Sequence, residues 1–326
     1  MNYIVLDLEW NQCPYGKEEG VEKLPFEVIE IGAVKLNSKL NVISEFQCYI
    51  KPQVYKELHR VTSDLLKISM KDLKKGLPFK TAMESFLRWC GKEEYRFCTW
   101  GSMDLIELQR NMTYFGVEDR LEFPLFYYDI QKLFSIRYED GKIRRSLEFG
   151  AIYCCAKIDK KFHSALCDAK YTAEVMKNMD FYSVNSYYSI DTYTIPDNSK
   201  EEITAVYDKY SKYISMGFDS REDLMSCKRI FVTKCYVCNK ILRKKIRWFS
   251  YNNKMYYCLA NCSEHGYMKG RLRIRKDDNG RYYAIKILKL TDEDGALLKK
   301  EKKKEVKRKR IEKKKRDRNN SKMEEE

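Results

Sequence analysis

The strongest constraint on the fold lies at the start of the chain, in the run Tyr3-Ile4-Val5-Leu6-Asp7-Leu8-Glu9. A nearly continuous apolar run marks a central strand covered on both faces. Side chains alternate along a strand, so Asp7 and Glu9 leave the same face. A carboxylate in such a strand is costly unless it is paired or metal-bound. Two adjacent carboxylates repel each other, and a divalent hard cation is their natural partner. Taken alone, the pair also fits a strand end that reaches water.

The following segments predict an α/β fold. Residues 27–36 and 42–50 predict two further strands, with Asn37-Ser38 and Asn41 supplying turn chemistry between them. That is an N-terminal β-meander. Residues 54–75 are helical in pieces, and Ala82, Met83, Phe86, Leu87 and Cys90 give residues 79–92 an amphipathic helical stripe. Strands are expected at 95–100 and 126–130, and helices from Ser102, over 146–155 and over 164–179. Three sequential strands, then strands alternating with helices, predict a mixed five-stranded sheet covered by helices. Residues 181–198, rich in Tyr, Ser, Asn and Asp, suggest a connector. Ser199 with Glu202 resembles a capping box opening a helix to about residue 215. Residues 228–290, with apolar and basic positions alternating in Leu272–Ile274 and Tyr282–Ile287, suggest a small β-rich module, followed by a low-complexity basic tail. The expected organisation is thus 1–180, a connector over 181–227, a module over 228–290 and a tail over 291–326.

With 326 residues the chain has room for two domains. Its 44% hydrophobic content, including 25 Tyr and 15 Phe, excludes a wholly disordered or fibrous chain. No apolar stretch approaches the roughly 18 residues that a membrane span needs. No export leader is visible, so a reducing, cytoplasmic setting is expected, with cysteines as free thiols or metal ligands. The net charge of +15 is uneven: residues 1–233 carry −2, residues 234–289 carry +12 and residues 299–318 carry +10. Such a basic C-terminal part suggests a polyanionic partner, with nucleic acid ahead of an anionic membrane surface.

Two more features join the acid pair. Asp104 follows the strand-breaking Trp100-Gly101 at a helix start, where an acid also favours the macrodipole. His163, one of only three histidines, precedes a helix that contains Asp168. Together, Val5-Leu6-Asp7-Leu8-Glu9-Trp10, Val28-Ile29-Glu30-Ile31-Gly32-Ala33, Trp100-Gly101-Ser102-Met103-Asp104 and His163-Ser164-Ala165-Leu166-Cys167-Asp168-Ala169 resemble the DEDDh 3′→5′ exonucleases. This is the superfamily of RNase T and of the proofreading subunit of replicative DNA polymerase. The Trp-Gly-x-x-Asp block is most similar to the histone-mRNA 3′-exonuclease-like and KapD-like branch, as is Leu58-His59-Arg60-Val61-Thr62. The resemblance covers about residues 1–180. It implies a ribonuclease H-like fold and two divalent ions, Mg²⁺ or Mn²⁺. It implies Asp7, Glu9 and Asp168 as ligands, Asp104 as a further acid acting through water, and His163 as general base. Elementary chemistry agrees: two hard cations can clamp an in-line phosphoryl displacement, and a neutral imidazole can accept a proton at physiological pH. Trp10 departs from the residue common in the family. It is positioned either to stack on a terminal base or to pack beside the site.

Cys235-Tyr-Val-Cys238 and Cys258-Leu-Ala-Asn-Cys262, followed by His265, have the spacing of a structural zinc site. The simplest set is Cys235, Cys238, Cys258 and Cys262 in a zinc-ribbon-like module, with His265 able to replace one of them. Arg271, Arg273 and Arg275 alternate along an expected strand and would line one face. That face suits a phosphate backbone, or simply solvent. The chain as a whole suggests a metal-dependent exonuclease acting on single-stranded ends, RNA ahead of DNA. A DNA exonuclease of repair or proofreading and a catalytically inert nucleic-acid-binding protein are the alternatives.

Overall fold

The computed structural model describes residues 1–66, 68–118, 121–155, 163–252 and 254–323. The chain divides into two compact units, Met1–Thr194 and Ile195–Glu326.

Unit one contains β1 (Asn2–Gln12), β2 (Phe26–Leu36), β3 (Val42–Tyr49), α1 (Arg60–Leu66), α2 (Met70–Leu73), α3 (Phe79–Cys90) and β4 (Tyr95–Thr99). It continues with α4 (Met103–Tyr114), β5 (Phe126–Asp129), α5 (Ile130–Tyr138), α6 (Leu147–Tyr153), α7 (Ala165–Asn178) and β6 (Ser189–Ile190). Among the described residues these strands form one mixed sheet in the order β3-β2-β1-β4-β5-β6. The meander β1-β2-β3 is antiparallel, and β4 and β5 add parallel to β1. The sequence suggests five strands. The sixth, β6, is a two-residue edge strand beside Phe126, too short to leave a periodic pattern.

Strand β1 is central and alternates between two cores, as its apolar run requires. Tyr3 and Val5 pack with Val34 and with Ala169, Ala173 and Met176 of α7. Ile4, Leu6 and Leu8 pack on the other face with Phe79, Met83 and Phe86 of α3 and Leu105 and Leu108 of α4. The parallel β1–β4 pair and the helices on both faces give the mixed α/β architecture expected from the sequence.

Unit two contains β7 (Ile203–Val206), β8 (Tyr210–Ile214), α8 (Arg221–Ser226), α9 (Lys228–Phe231), β9 (Arg243–Asn252), β10 (Met255–Cys262), β11 (Gly266–Lys276), β12 (Tyr282–Leu290) and α10 (Glu293–Met323). Its strands form an antiparallel sheet, ordered β7-β8-β12-β11-β10-β9 among the described residues. The module expected over 228–290 is therefore part of a larger sheet that begins at Ile203. The helix expected from Ser199 to about 215 is instead the hairpin β7–β8. Ile203, Val206, Tyr210 and Ile214 satisfy helical spacing, yet they are β-branched or aromatic and pair across strands. Ile214 lies opposite Ile203 and Ile285, a tertiary pairing that local spacing does not report. Glu202, expected in a capping box, instead meets Arg229 at 3.3 Å through its carboxylate. The basic tail is helical in α10, whose Lys299 and Lys302 lie 4.1 Å from the ring centroids of Tyr257 and Tyr251. The last three residues of the chain, 324–326, lie outside the described residues. No helix among the described residues is long and apolar enough to cross a membrane.

Candidate active site

Strands β1 and β2 pair with Asp7 opposite Gly32 and Glu9 opposite Glu30. Helix α7 crosses β2 at Gly32. A Cβ at Gly32 would lie 2.0 Å from the Leu166 nitrogen and 2.1 Å from the Ala165 carbonyl carbon. Only glycine permits that approach, and the approach brings the first turn of α7 down onto the acid-bearing face of β1. Carboxylate oxygens of Asp7, Glu9 and Asp168 consequently lie within 4.8 Å of one another.

Asp104 arrives from a different direction. Strand β1 pairs with β4 only from Asn2 to Val5, so its edge is open beyond that point. Gly101, at φ +115°, turns the chain after β4 into the start of α4. Asp104 Oδ1 then accepts a hydrogen bond from the Leu8 amide at 3.2 Å, filling the place of a strand partner. Asp104 is 6% exposed and stands outside the three-acid cluster among the described residues. Trp100 fixes this turn. Its indole Nε1 donates to the Arg145 carbonyl at 3.1 Å, and its ring fills the space where Gly150 lacks a side chain.

His163 is exposed and directly precedes the N-cap of α7, with φ +76°. Its backbone amide donates to Asp168 Oδ2 at 3.2 Å, so His163 is tied to the acid cluster through its own main chain. Glu30 has a role that its place in the sequence does not announce. Its Oε1 accepts from Gln47 Nε2 at 2.8 Å and from Ser164 Oγ at 3.3 Å. Burial raises this carboxylate, and the backbone amides of Ala165 and Leu166 beside it act in the opposite direction. Ser164 makes no side-chain cap of its own, and Glu30 on the neighbouring strand faces the positive end of the α7 dipole through it. Its sequence signal is a lone carboxylate within the apolar stretch Val28–Val34.

The site is electrostatically frustrated as it stands. Burial, followed by the Asp104, Glu9 and Asp168 carboxylates, raises Asp7 well above the usual range. Burial and neighbouring acids push Glu9 up to about 8. Burial lifts Asp104 to about 7 and Asp168 to about 6, although hydrogen bonds to each act in the opposite direction. Asp168 Oδ1 and Glu30 Oε2 are buried without a hydrogen-bond partner among the described residues. Converging carboxylates, mutual repulsion and an orphaned buried oxygen fit a hard divalent cation held by Asp7, Glu9 and Asp168.

Trp10 sits at a register shift of β1 against β2, with its ring 5.7 Å from that of Phe26. It packs against the core containing Leu6 and Leu8, on the face away from the acids. The Leu58–Thr62 segment runs alongside. His59 N donates to Asn11 Oδ1 at 2.9 Å and Thr62 Oγ1 to the Trp10 carbonyl at 3.3 Å.

In unit two, Arg271, Arg273 and Arg275 are exposed on β11 and alternate with buried Leu272 and Ile274. Cys235, Cys238, Cys262 and His265 form a second cluster within 4.8 Å. Cys258, expected in the ligand set, stands outside this cluster, and His265 stands within it. Cys258 and Cys262 are four residues apart on the extended strand β10, hence roughly 13 Å apart along it. The Cys258 thiol instead packs against Gly270, 2.4 Å from where a Cβ would stand.

Residues 4–176 match the RNase T exonuclease family model, which is more than half of the chain. The chain belongs to that family, the DEDDh 3′→5′ exonucleases. Within the family it is similar to a probable 3′-5′ exonuclease KapD of Bacillus subtilis (strain 168). Identity is 28% over 108 residues, covering 33% of this chain and 51% of that protein. ERI1 exoribonuclease 2 of Homo sapiens is 34% identical over 93 residues, covering 27% of this chain and 12% of that protein. The chain thus spans about half the length of one curated relative and far less of the other. Among solved structures it is similar to the nuclease domain of 3′hExo, a DEDDh family member, bound to rAMP. The match has 20% identity and a TM-score of 0.49, and covers 59% of this chain and 96% of that one. E. coli Exonuclease I in complex with a 5cy-dT13 oligonucleotide gives 11% identity and a TM-score of 0.47, covering 79% of this chain and 54% of that one.

Proposed function

We propose that the protein is a divalent-metal-dependent 3′→5′ exonuclease that removes nucleoside monophosphates from single-stranded ends, RNA in preference to DNA. The observation that carries this reading is the convergence of Asp7, Glu9 and Asp168 on one point, with Asp168 Oδ1 buried and unpartnered among the described residues. Two magnesium or manganese ions bound there would supply the positive charge that stabilises an in-line displacement at phosphorus.

The chain's own residues do the rest. His163, tethered through its backbone to Asp168, presents an exposed imidazole whose nitrogen accepts a proton from the attacking water. The water oxygen bonds to phosphorus, the bond from phosphorus to the 3′ oxygen breaks, and that oxygen takes up a proton from solvent, so a new 3′ hydroxyl remains on the shortened strand and His163 later returns its proton to solvent. Asp104 holds the Leu8 amide and keeps the Asp7–Glu9 segment of β1 in register while acting as a further acid. Glu30 holds the start of α7, and with it His163 and Asp168. The basic unit two, with Arg271, Arg273 and Arg275 on an exposed strand face, contributes affinity for the phosphate backbone. The RNA preference is supported by the exoribonuclease relative.

The test is loss of a 3′ label from matched RNA and DNA oligonucleotides, with magnesium, with manganese and with chelator. Metal-dependent shortening from the 3′ end, faster on RNA, supports the proposal. Faster DNA shortening would replace the substrate, and no shortening of either with the strand still bound would leave only a binding protein.

A further inference from the structure

We propose that Cys235, Cys238, Cys262 and His265 bind one zinc ion in a closed Cys₃His site, and that Cys258 is not a ligand. The four residues come from two turns. Cys235 and Cys238 lie in a knuckle before β9, closed by Cys235 N donating to the Lys240 carbonyl at 2.8 Å and Asn239 N donating to the Cys235 carbonyl at 2.8 Å. Cys262 ends β10 and pairs with Gly266, the first residue of β11, so His265 lies in the turn between them. The knuckle and the hairpin turn therefore offer Cys-x-x-Cys and Cys-x-x-His, two residues each.

The distances have the size that a tetrahedral ion sets. Cys238 Sγ and Cys262 Sγ are 3.6 Å apart, and His265 Nδ1 is 3.7 Å from Cys235 Sγ and 3.6 Å from Cys262 Sγ. Zinc–sulfur bonds of about 2.3 Å and zinc–nitrogen bonds of about 2.0–2.1 Å imply tetrahedral edges of about 3.8 Å between sulfurs and about 3.5 Å between sulfur and nitrogen. A Cys238–Cys262 disulfide would need its sulfurs at about 2.05 Å and would leave Cys235 and His265 facing each other without purpose. Three thiolates and an imidazole select a soft or borderline ion, not the hard cation suited to Asp7, Glu9 and Asp168.

Four protein ligands leave no open position, which assigns the ion a structural task. That task is visible in the packing. Cys235 and Cys262 are buried in a small cluster with Leu242, Ala260 and Met268, separate from the core under α8 and α9. So few apolar side chains hold the knuckle to the hairpin weakly, and a metal bond between the two turns would supply what the core lacks. The proposal is independent of the exonuclease reading, because every ligand lies beyond residue 176.

The test is the metal content of the full-length chain purified without chelator, with Asp7→Asn as background so that the acidic cluster is impaired as a competing site. The expected result is about one zinc per chain, retained in Cys258→Ala and lost in Cys235→Ser and His265→Ala. His265→Cys guards against misfolding as the explanation. It should keep the zinc, and after cobalt substitution its tetrahedral spectrum should gain thiolate-to-metal absorption relative to the parent. Absence of zinc in the parent, retention in His265→Ala, loss in Cys258→Ala, or a non-reduced mass lighter by two hydrogens would each overturn the proposal.

Discussion

Asp7 can be neutralised with little change of shape, because asparagine fills the same space. Asp7→Asn should lower metal-dependent cleavage by at least about 10²-fold while leaving substrate binding and folding nearly intact. Single-turnover cleavage and a binding titration on the same preparation check this, and near-normal turnover would remove Asp7 from the site. His163→Ala should cost about 10²–10⁴-fold in turnover while substrate binding stays nearly intact. Turnover within a few-fold of the parent's would dismiss His163. Glu30 acts one step removed, through the Ser164 hydroxyl and the start of α7. Glu30→Gln keeps the size but weakens that contact, and should lower activity or metal affinity by about 10–100-fold, as loss of a supporting partner does. Its melting temperature should stay near the parent's, and an unchanged metal titration together with unchanged kcat would refute the positioning role.

At the scale of elements, the site exists because α7 can lie directly on β2. Gly32→Ala introduces a methyl group at 2.0 Å from the Leu166 nitrogen, backbone that cannot move aside without lifting the helix. The expected result is loss of cleavage together with a lower melting temperature, and weaker magnesium binding in whatever remains folded. Normal activity in Gly32→Ala would mean that the helix position does not set the acid geometry. Strand β1 and helix α3 were legible in the sequence because the apolar run at Tyr3–Leu6 and the apolar stripe within 79–92 are local patterns. The hairpin β7–β8 was not. Ile203, Val206, Tyr210 and Ile214 satisfy a helical period by coincidence, and only their cross-strand partners decide between the two readings.

For the whole molecule, the metal-free state has a pH dependence whose sign is set by the acids. Burial raises Asp7, and places Glu9 at about 8, Asp104 at about 7 and Asp168 at about 6. An unfolded carboxylate titrates near about 4, so the folded chain holds protons that the unfolded chain has released. This contribution to stability is complete below pH of about 4 and is lost as pH rises through the folded values, from about 6 to about 8. Magnesium competes with those protons, so its stabilising effect should grow over the same range. Melting curves with chelator and with magnesium at acidic and alkaline pH check this, and a magnesium effect independent of pH would contradict it. The charge division adds a second prediction. Residues 1–194 alone should cleave short oligonucleotides at saturation about as well as the full chain. They should bind long single strands more weakly, with a salt slope shallower by roughly 0.7 for each lost phosphate contact. Equal slopes would mean that the basic unit faces something other than the substrate.

The sequence by itself determined the chemistry of the two clusters. The acids of β1, Asp104, His163 and Asp168 stand in blocks whose order resembles one family, and the paired cysteines have the spacing of a soft-metal site. The central strand was legible too, since a nearly continuous apolar run is the pattern of a strand covered on both faces. Tertiary structure alone decided which residues meet. Glu30 became part of the site only when α7 was laid across Gly32, because its partner Ser164 lies more than a hundred residues away. Trp10 turned to the core beside Phe26, because strand alternation sends it to the opposite face from Asp7 and Glu9. The choice between Cys258 and His265 rested on whether residues 255–262 are extended. In a loop, the spacing of Cys258 and Cys262 could close on one ion. In strand β10 it separates them by roughly 13 Å, and the turn that follows delivers His265 instead.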